Sequence, residues 1–252
     1  MKALITGASS GIGRSFAYLL ADQGYDLILV ARRKKRLEAI KKSVNVNVEI
    51  IDMDISTTFN CHKLYNKVKK ENIDILINNA GYGLIGNFKD TNLEKELDMV
   101  DLNVKTVHTL TKLFLKEFVK KDKGYILNVS SIAAFQPGPL MATYYATKSY
   151  VYNLTTAINY ELKVNNSNVY VGCLHPGPVD TEFNKVAQVK FNLKSYDSDY
   201  VCRYALKKMF KKKKIIIPGF RIKLARLGAK FLPLNTVLKY IYKSQESKTN
   251  KF

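Results

Sequence analysis

Short apolar runs rich in β-branched residues alternate along the chain with longer segments whose apolar residues recur every three to four positions. The first pattern is typical of strands and the second of helices, and their alternation predicts βαβ units with a parallel sheet. Several runs are almost continuously apolar, as expected of strands buried on both faces. The seven predicted strands cover Lys2–Thr6, Asp26–Ala31, Val46–Ile51, Ile73–Asn78, Gly124–Val129, Asn168–Leu174 and Lys214–Ile217.

Helices are predicted in the gaps between these strands. The first helix has an apolar stripe made of Ile12, Phe16, Leu19 and Leu20. Gly24 lies where that helix should end, and two longer helices are predicted over Leu93–Lys121 and Thr143–Lys163. The stretch from Pro176 to about Tyr196 is irregular. Together the elements predict a single α/β domain with a doubly wound parallel sheet, whose ligand site lies beyond the carboxyl ends of the strands.

A basic extension follows the last predicted strand. Apolar residues recur at threes and fours between Gly219 and Lys243 with lysine and arginine between them, and Pro233 should divide the segment into two short helices. The polar tail after Ser244 should fray. We expect residues 1–218 to form the α/β body with the ligand site. Residues 219–252 should belong to the same domain and pack as a flap beside that site, on the body or on a sister subunit. Peripheral contact with an anionic membrane is the alternative.

Charge and cysteine content change this picture little. The formal net charge of +20 comes mainly from lysines spread along the chain. This favours a solvated surface over a functional basic patch, and no nucleic-acid partner is expected. The three cysteines form no CxxC pair, so neither a disulfide framework nor a metal site is predicted. With no leader pattern after Met1 and no apolar run of roughly 18 residues, a cytoplasmic location is expected.

A glycine-rich turn follows the first predicted strand and opens the first helix. In that context Gly7 can supply a tight turn, Gly11 can let the backbone approach a pyrophosphate, and Gly13 can permit close helix packing. The free N–H groups of the helix would face the anion. The alternative is a plain strand-to-helix turn without a ligand. The predicted cofactor-binding residues of this turn are Gly7, Ser9, Ser10, Gly11, Ile12 and Gly13.

The end of the second strand indicates which dinucleotide is bound. A chain that binds NAD usually has an acidic residue there for the ribose 2′-hydroxyl, whereas this chain has Arg32 and Arg33. A guanidinium can bind a 2′-phosphate through two charge-assisted hydrogen bonds. The cofactor is therefore predicted to be NADP(H). Alternatively, both arginines only begin a basic surface helix with Lys34, Lys35 and Arg36.

Further motifs follow the glycine-rich turn in a fixed order. They are Asn78-Asn79-Ala80-Gly81, Tyr144 with Lys148, and Pro176-Gly177 with Val179 and Thr181. With them the chain resembles the short-chain dehydrogenase/reductase family over nearly its full length. The resemblance implies a Rossmann-type fold, oxidoreductase activity on a carbonyl or alcohol, and a homodimer or homotetramer packed through the two long helices. Ala31-Arg32-Arg33 and Ile217-Pro218-Gly219 make it most similar to the bacterial DltE-type dehydrogenases.

The resemblance also assigns roles to single residues. It places Asp54 beside the adenine. Asn103 would anchor a water that passes protons to Lys148, unless it only kinks its helix. Cofactor contacts are implied for Asn79, Ala80, Gly81, Pro176, Gly177, Val179 and Thr181. Of these, Val179 and Thr181 would contact the nicotinamide carboxamide.

The spacing Tyr-x-x-x-Lys is weak by itself. It occurs at Tyr65 with Lys69, Tyr144 with Lys148 and Tyr204 with Lys208. The first and last pairs lie in predicted lysine-rich helices, where the spacing gives an ordinary surface contact. Tyr144 instead follows the fifth strand and a serine pair. The family's catalytic serine lies about a dozen residues before its tyrosine, which selects Ser131 over Ser130.

Carbonyl chemistry explains these residue types. Reduction places a proton on the oxygen as alkoxide character develops, and Tyr144 can donate it. The Lys148 cation one helical turn away should favour the phenolate and lower the pKa of Tyr144. Ser131 would hold the substrate oxygen. Because Asn103 is present as well, we favour an enzyme over a catalytically silent NADP-binding regulatory or scaffold protein.

The predicted substrate pocket is largely apolar. Its walls should come from Gly83–Phe88, Ala133–Met141, Tyr145 and the segment after Thr181. The apolar side chains are Phe135, Leu140, Met141, Tyr145 and Phe183. A carbonyl or alcohol substrate with apolar surface is expected. The lysines that could bind an anionic carrier, unless they are only solvated, are Lys185, Lys190 and Lys194. His175 is predicted to be structural.

Overall fold

The computed structural model describes residues 1–183, 195–229 and 231–249. In that part of the chain, seven parallel strands form one sheet in the order β3-β2-β1-β4-β5-β6-β7. All seven predicted strands are confirmed, with ends that differ from the predicted ones by at most two residues. The strands are β1 (Lys2–Thr6), β2 (Asp26–Ala31), β3 (Val48–Asp52), β4 (Ile75–Asn78), β5 (Tyr125–Val129), β6 (Tyr170–Leu174) and β7 (Ile215–Ile216).

Helices cover both faces of the sheet. Those described are α1 (Gly11–Ala21), α2 (Lys34–Ser43), α3 (Thr58–Val68), α4 (Leu93–Val100), α5 (Val107–Lys120), α6 (Ala142–Val164), α7 (Ser198–Met209), α8 (Phe220–Ala229) and α9 (Leu234–Thr249). The buried residues of α1, α2 and α7 share one core, and those of α3, α5 and α6 share the other. This arrangement confirms the doubly wound, Rossmann-type fold.

The central strands are buried on both faces because their runs are apolar without interruption. In β1, Ala3 and Ile5 belong to one core and Leu4 to the other, and all three side chains are fully buried. Strand order reverses between β1 and β4, so the connections leaving these strands diverge. The crevice that this reversal opens at the carboxyl ends is the usual ligand site of such a sheet.

The predicted helix Leu93–Lys121 is interrupted. A wide turn of π-helix over Asp101–Thr106 separates α4 from α5. The turn carries Asn103 into the interior, where its side chain is completely buried, and Thr106 closes the turn by donating to the Asp101 carbonyl oxygen at 3.2 Å. Single π turns inside α-helices are frequent at functional sites.

The C-terminal extension forms two helices, α8 and α9, divided near Pro233 as predicted. The expectation that the tail frays after Ser244 is wrong, because α9 continues to Thr249. Gln245 explains this, since it is buried and its Nε2 donates to the Tyr145 hydroxyl at 2.7 Å. Ile241 and Val237, one and two turns earlier, are buried on the same side of α9.

The described helices include none that is long and apolar enough to cross a membrane. The three cysteines, Cys61, Cys173 and Cys202, are buried and free. Burial raises the pKa of the Cys202 thiol well above its ordinary value. The fold therefore depends on its two apolar cores rather than on disulfide cross-links.

Candidate active site

The glycine-rich turn between β1 and α1 forms a cradle at the carboxyl edge of the sheet. Gly7 and Gly11 have φ of +65° and +50°, a conformation that favours glycine. A Cβ at Gly13 would lie 2.3 Å from the Gly7 carbonyl oxygen, so only glycine fits there. Ser10 caps α1 without a side-chain hydrogen bond, which leaves the first N–H groups of the helix as donors. The turn therefore fits a pyrophosphate.

The segment after β4 is tied to this cradle. Thr6 Oγ1 accepts hydrogen bonds from the backbone N–H groups of Asn79 at 2.9 Å and Ala80 at 3.1 Å. Thr181 lies against the turn from the other side, since a Cβ at Gly11 would be 2.9 Å from Thr181 Cγ2. Segments predicted to contact the cofactor thus converge on one crevice.

The turn after β6 is held from two directions. The Pro176 carbonyl oxygen accepts from the backbone N–H of Ile132 at 3.1 Å. A Cβ at Gly177 would lie 2.2 Å from Ile222 Cδ1, so α8 packs directly on this turn. Val179 pairs with Tyr196 in an isolated parallel bridge. The predicted irregular stretch is therefore braced where the structure describes it, and residues 184–194 lie outside the described part.

The two arginines after β2 have different partners. Arg33 reaches the cradle, where its Nη2 donates to the hydroxyls of Ser9 at 3.1 Å and Ser10 at 2.7 Å. Arg32 is more exposed and pairs with Asp54 at 3.4 Å. Burial pushes the pKa of Asp54 upward, but hydrogen bonds from Ser56 and the Arg32 charge outweigh it, so this pKa lies below its ordinary value. Arg33, Ser9 and Ser10 therefore form a cationic corner of the crevice.

Tyr144 and Ser131 meet at the carboxyl end of β5. Tyr144 lies in the first turn of α6 with 8% of its surface exposed. Burial raises its pKa to about 12, and the hydrogen bond with the Ser131 hydroxyl only partly opposes this rise. The expected lowering of the Tyr144 pKa is therefore absent, because removal from water is the larger effect. At neutral pH the phenol is protonated.

Lys148 lies one turn further along α6, and its ammonium is inside the protein. Its Nζ donates to the Val129 carbonyl oxygen at 3.1 Å and lies 5.8 Å from the centroid of the Tyr144 ring. Burial lowers the pKa of Lys148 to about 8. The ammonium thus lies beside the Tyr144 ring and is held near its titration point by burial.

The wide turn between α4 and α5 brings Asn103 to this cluster. Its Oδ1 accepts from the Tyr82 backbone N–H at 3.1 Å, and its Nδ2 donates to the Tyr82 carbonyl oxygen at 2.9 Å and to Thr147 Oγ1 at 3.1 Å. A Cβ at Gly81 would lie 2.7 Å from Asn103 Oδ1 and 3.4 Å from Lys148 Nζ. Asn103 and Lys148 therefore flank Gly81. Sequence reasoning missed Tyr82 and Thr147, although Thr147 lies inside the Tyr-x-x-x-Lys motif.

The other two pairs with this spacing lie outside the crevice. Tyr65 donates to Glu117 on α5 at 3.0 Å, and Tyr204 packs beneath Lys208 and Lys223 on α7 and α8. Geometry therefore separates the Tyr144 pair from its two sequence look-alikes.

A sequence model of one family, described as short chain dehydrogenase, matches residues 1–190. The chain belongs to the short-chain dehydrogenase family. It is an oxidoreductase of that family, acting on CH–OH groups with a nicotinamide cofactor. The further similarity to DltE-type dehydrogenases stays a prediction.

Similar proteins come from bacteria and fungi. An uncharacterised oxidoreductase of Staphylococcus epidermidis is 35% identical over 182 residues, which is 71% of this chain and 78% of that protein. A very-long-chain 3-oxoacyl-CoA reductase of Pyrenophora tritici-repentis is 34% identical over 73% of this chain, but the match spans only 56% of the reductase. The solved short-chain dehydrogenase of Sphingobium yanoikuyae in complex with NADPH is 30% identical, with a TM-score of 0.81 over 92% of this chain and 96% of that one.

The short-chain dehydrogenase crevice has an apolar wall beside Tyr144. The centroid of the Phe183 ring lies 5.5 Å from that of Tyr144 with the two rings tilted by 51°, and a Cβ at Gly83 would touch Phe183, Met141 and Tyr144. This cluster contains the buried Met99, Ala133, Met141 and Tyr144 with the partly buried Tyr82, Leu84, Ile85, Tyr145 and Phe183. Lys185, Lys190 and Lys194, predicted near this wall, lie outside the described residues.

Phe135 does not belong to this wall, contrary to the prediction. Its ring lies 4.5 Å from the His175 ring and 5.3 Å from that of Tyr152, and the Arg226 guanidinium covers it at 4.0 Å. The short 3₁₀ turn after Ser131 rotates Phe135 away from Tyr144 toward α8.

The surroundings of His175 indicate a structural role. It is fully buried, its Nδ1 is 3.0 Å from the Ser131 carbonyl oxygen, and burial lowers its pKa to about 4. The ring is therefore neutral at physiological pH and braces the backbone of Ser131. In the part of the chain that the structure describes, no three His, Cys, Asp or Glu side chains gather as metal ligands.

Proposed function

We propose that this chain is an NADP(H)-dependent oxidoreductase that interconverts a ketone or other carbonyl with a secondary alcohol, with Tyr144 as general acid and base. The observation that carries this proposal is the buried cluster of Tyr144, Ser131 and Lys148 beside the glycine cradle. Catalytic groups with strongly shifted pKa values are typical of active sites.

The proposed division of labour follows from the contacts. The bound cofactor supplies or accepts the hydride. Ser131, already within hydrogen-bond reach of Tyr144, holds the substrate oxygen against the phenol. Tyr144 donates its proton to that oxygen during reduction. The Lys148 ammonium, 5.8 Å from the centroid of the Tyr144 ring, stabilises the phenolate left behind. Asn103 positions the water that returns a proton through Lys148.

The protonation states of Tyr144 and Lys148 suit Tyr144 to donate a proton during reduction. A Tyr144 pKa of about 12 and a Lys148 pKa of about 8 describe a neutral phenol beside a mostly charged ammonium at pH 7. A neutral phenol is the form that can donate a proton. Alcohol oxidation needs the phenolate instead, so Tyr144 must first lose its proton in that direction.

The proposed NADP(H) preference rests on the cationic corner of Arg33, Ser9 and Ser10. Arg32 and Asp54 would flank the adenine, and Val179 with Thr181 would contact the nicotinamide carboxamide. The remaining predicted contacts, Gly7, Gly11, Ile12, Gly13, Asn79, Ala80, Gly81, Pro176 and Gly177, belong to the cradle and its neighbouring turns. The related Sphingobium enzyme in complex with NADPH supports the same cofactor.

The substrate is proposed to be a ketone with bulky apolar substituents. The wall of Met99, Met141, Tyr145 and Phe183 beside Tyr144 offers apolar contacts on the side where the carbonyl would bind. The similarity to a 3-oxoacyl-CoA reductase, although it spans only part of that protein, agrees with a long apolar substrate.

Turnover of a panel of ketones by the purified full-length chain tests this function. We expect NADPH absorbance to fall with at least one bulky aliphatic or ring ketone. With NADH at equal concentration, the absorbance of that cofactor should fall more slowly. If NADPH binds but no ketone or alcohol in the panel is turned over, the chain is a catalytically silent NADP-binding protein and the proposal is wrong.

The extension is proposed to close one side of the substrate pocket. Its helix α9 reaches Tyr145 through Gln245, whereas Phe220, Leu224 and Leu227 of α8 stay between 51% and 73% exposed. The first contact supports the flap. The exposed stripe, which alternates with basic residues, supports weak contact with an anionic membrane as the alternative role of α8.

Gln245→Ala tests the flap. Loss of one buried hydrogen bond costs about 1 kcal/mol, so KM for the best ketone should rise about fivefold while NADPH affinity stays unchanged. Tyr145→Phe removes the same bond from the other side, so the double variant should be no worse than the single ones. Additive effects of the two changes would contradict a shared contact.

A homodimer or homotetramer is proposed to form through the two long helical segments. Leu93, Leu97 and Val119 on α4 and α5, and Tyr160 and Val164 on α6, are between 45% and 63% exposed. Large apolar side chains grouped on neighbouring helices are typical of subunit interfaces.

A further inference from the structure

A carboxylate occupies the cationic corner of the cofactor crevice. Glu182 Oε2 lies 2.7 Å from Arg33 Nη1, and Glu182 Oε1 lies 2.6 Å from Arg36 Nη1. One carboxylate therefore bridges two guanidinium groups, and Arg33 also donates to Ser9 and Ser10. Glu182 comes from the far side of the crevice, directly after Thr181, which lies against the glycine cradle.

The donors around this carboxylate match a phosphate monoester better than a carboxylate. Two guanidinium groups carry two positive charges, of which Glu182 neutralises one. A phosphate monoester carries nearly two negative charges and three acceptor oxygens, so it can engage Arg33, Arg36 and both serine hydroxyls together. The sequence indicates Arg36 only as part of a basic surface helix, whereas the structure turns its guanidinium toward the same carboxylate as that of Arg33.

We propose that Arg33, Arg36, Ser9 and Ser10 form the binding site for the 2′-phosphate of NADP(H), and that Glu182 is an intramolecular competitor which the phosphate displaces. The inference rests on the proposed NADP(H) dependence. It adds Arg36 as a phosphate ligand and makes Glu182 a residue that sets how strongly NADPH is preferred over NADH.

Displacement of Glu182 affects the substrate side because of the residues on either side of it. Thr181 touches the cradle, and Phe183 packs on Tyr144 with ring centroids 5.5 Å apart. When the 2′-phosphate takes the two arginines, the tether that holds this segment across the crevice is lost, and Phe183 becomes free to move off Tyr144. A phosphate at one end of the crevice thus changes access to the reacting group at the other.

The competition persists over the physiological pH range. Hydrogen bonds from Arg36 and Arg33 lower the pKa of Glu182 to about 2, so the carboxylate stays ionised. Because all three side chains are partly exposed to solvent, water screens the pairs and each contributes modestly. Removal of the carboxylate should therefore tighten phosphate binding about three- to tenfold rather than by orders of magnitude.

Calorimetric titration of Glu182→Gln tests the competition. NADPH and adenosine 2′,5′-bisphosphate should bind about three- to tenfold more tightly than to the unaltered chain, while NADH and 5′-AMP should change less than twofold. Glu38→Gln is the matched control, because Glu38 pairs with Lys34 on the same helix without touching either arginine. Arg36→Ala should weaken only the two ligands that carry a 2′-phosphate.

The results separate the two proposals. If the unaltered chain prefers NADPH but Glu182→Gln leaves its affinity unchanged or weaker, the competition is wrong and the cofactor proposal stands. If the unaltered chain and Glu182→Gln both bind NADH as tightly as NADPH, both proposals are wrong. A change equal to that of Glu38→Gln would reduce Glu182 to a general charge effect and also overturn the inference.

A fluorescence reporter tests the link to Phe183 separately. The chain contains no tryptophan, so Phe183→Trp introduces a single tryptophan beside Tyr144, which can be excited selectively over the tyrosines. Adenosine 2′,5′-bisphosphate should shift its emission toward that of an exposed indole, 5′-AMP should not, and in the Glu182→Gln background the shift should already be present without ligand. If neither adenosine 2′,5′-bisphosphate nor Glu182→Gln changes the emission, Glu182 does not hold Phe183 against Tyr144.

Discussion

Tyr144→Phe is expected to lower the rate of NADPH-dependent ketone reduction by about 10²- to 10⁴-fold, the usual loss when a general acid is removed. The variant keeps the ring that packs between Tyr145 and Phe183 and loses only the hydroxyl. Folding and NADPH affinity should therefore survive. Initial rates at saturating ketone, with circular dichroism and NADPH titration on the same sample, measure all three quantities.

A matched control exists in the same chain. Tyr204 also precedes a lysine by four residues but lies on α7 beneath Lys208 and Lys223, so Tyr204→Phe should leave the rate nearly unchanged. If Tyr144→Phe retains activity within about tenfold of the unaltered chain, the proton comes from another group and the assignment of Tyr144 fails.

Arg33→Ala is expected to weaken NADPH binding about 10- to 150-fold and to leave NADH binding nearly unchanged. Loss of a charge-assisted hydrogen bond costs about 1.5 to 3 kcal/mol, which gives this range at about 1.4 kcal/mol per decade. Arg33 is the arginine that contacts Ser9 and Ser10 in the cradle. The ratio of NADPH to NADH dissociation constants is the quantity to measure.

Arg32→Ala serves as the comparison for this prediction. Arg32 is more exposed than Arg33 and is already paired with Asp54, so its loss should change the ratio less. A larger effect at Arg32 than at Arg33 would reverse their order in phosphate binding. An unchanged ratio in both variants would remove the basis for an NADP(H) preference.

Local patterns predicted most of the fold because the elements that carry it are locally encoded. The strands are nearly continuous apolar runs, and the glycine-rich turn must follow β1 because its backbone admits little else. The Tyr144 and Lys148 pair could be selected from three candidates because its position after β5 was itself predictable. These features depend on residues that are close together in sequence.

Features that depend on tertiary contacts could not be predicted. Glu182 meets Arg33 and Arg36 across 149 and 146 residues of chain, and no local pattern marks that pairing. The pKa of Tyr144 was predicted from its lysine neighbour, whereas its burial decides it. Gln245 looked like part of a polar tail because its partner, Tyr145, is 100 residues away. In each case the deciding partner lies elsewhere in the chain.

The wide turn over Asp101–Thr106 constrains how many residues this part of the chain can contain. A π turn amounts to one residue inserted into an α-helix, and each α-helical residue turns the chain by about 100°. Deletion of a single residue here would restore a regular helix. Either Asn103 would then rotate away from Gly81, or Phe114 and Phe118 would rotate out of their core. Most helices on the surface of a protein can lose or gain a residue at an end during evolution. Within the segment Asp101–Thr106, by contrast, an insertion or deletion would disrupt the site or the core. We therefore expect relatives to differ here by substitutions.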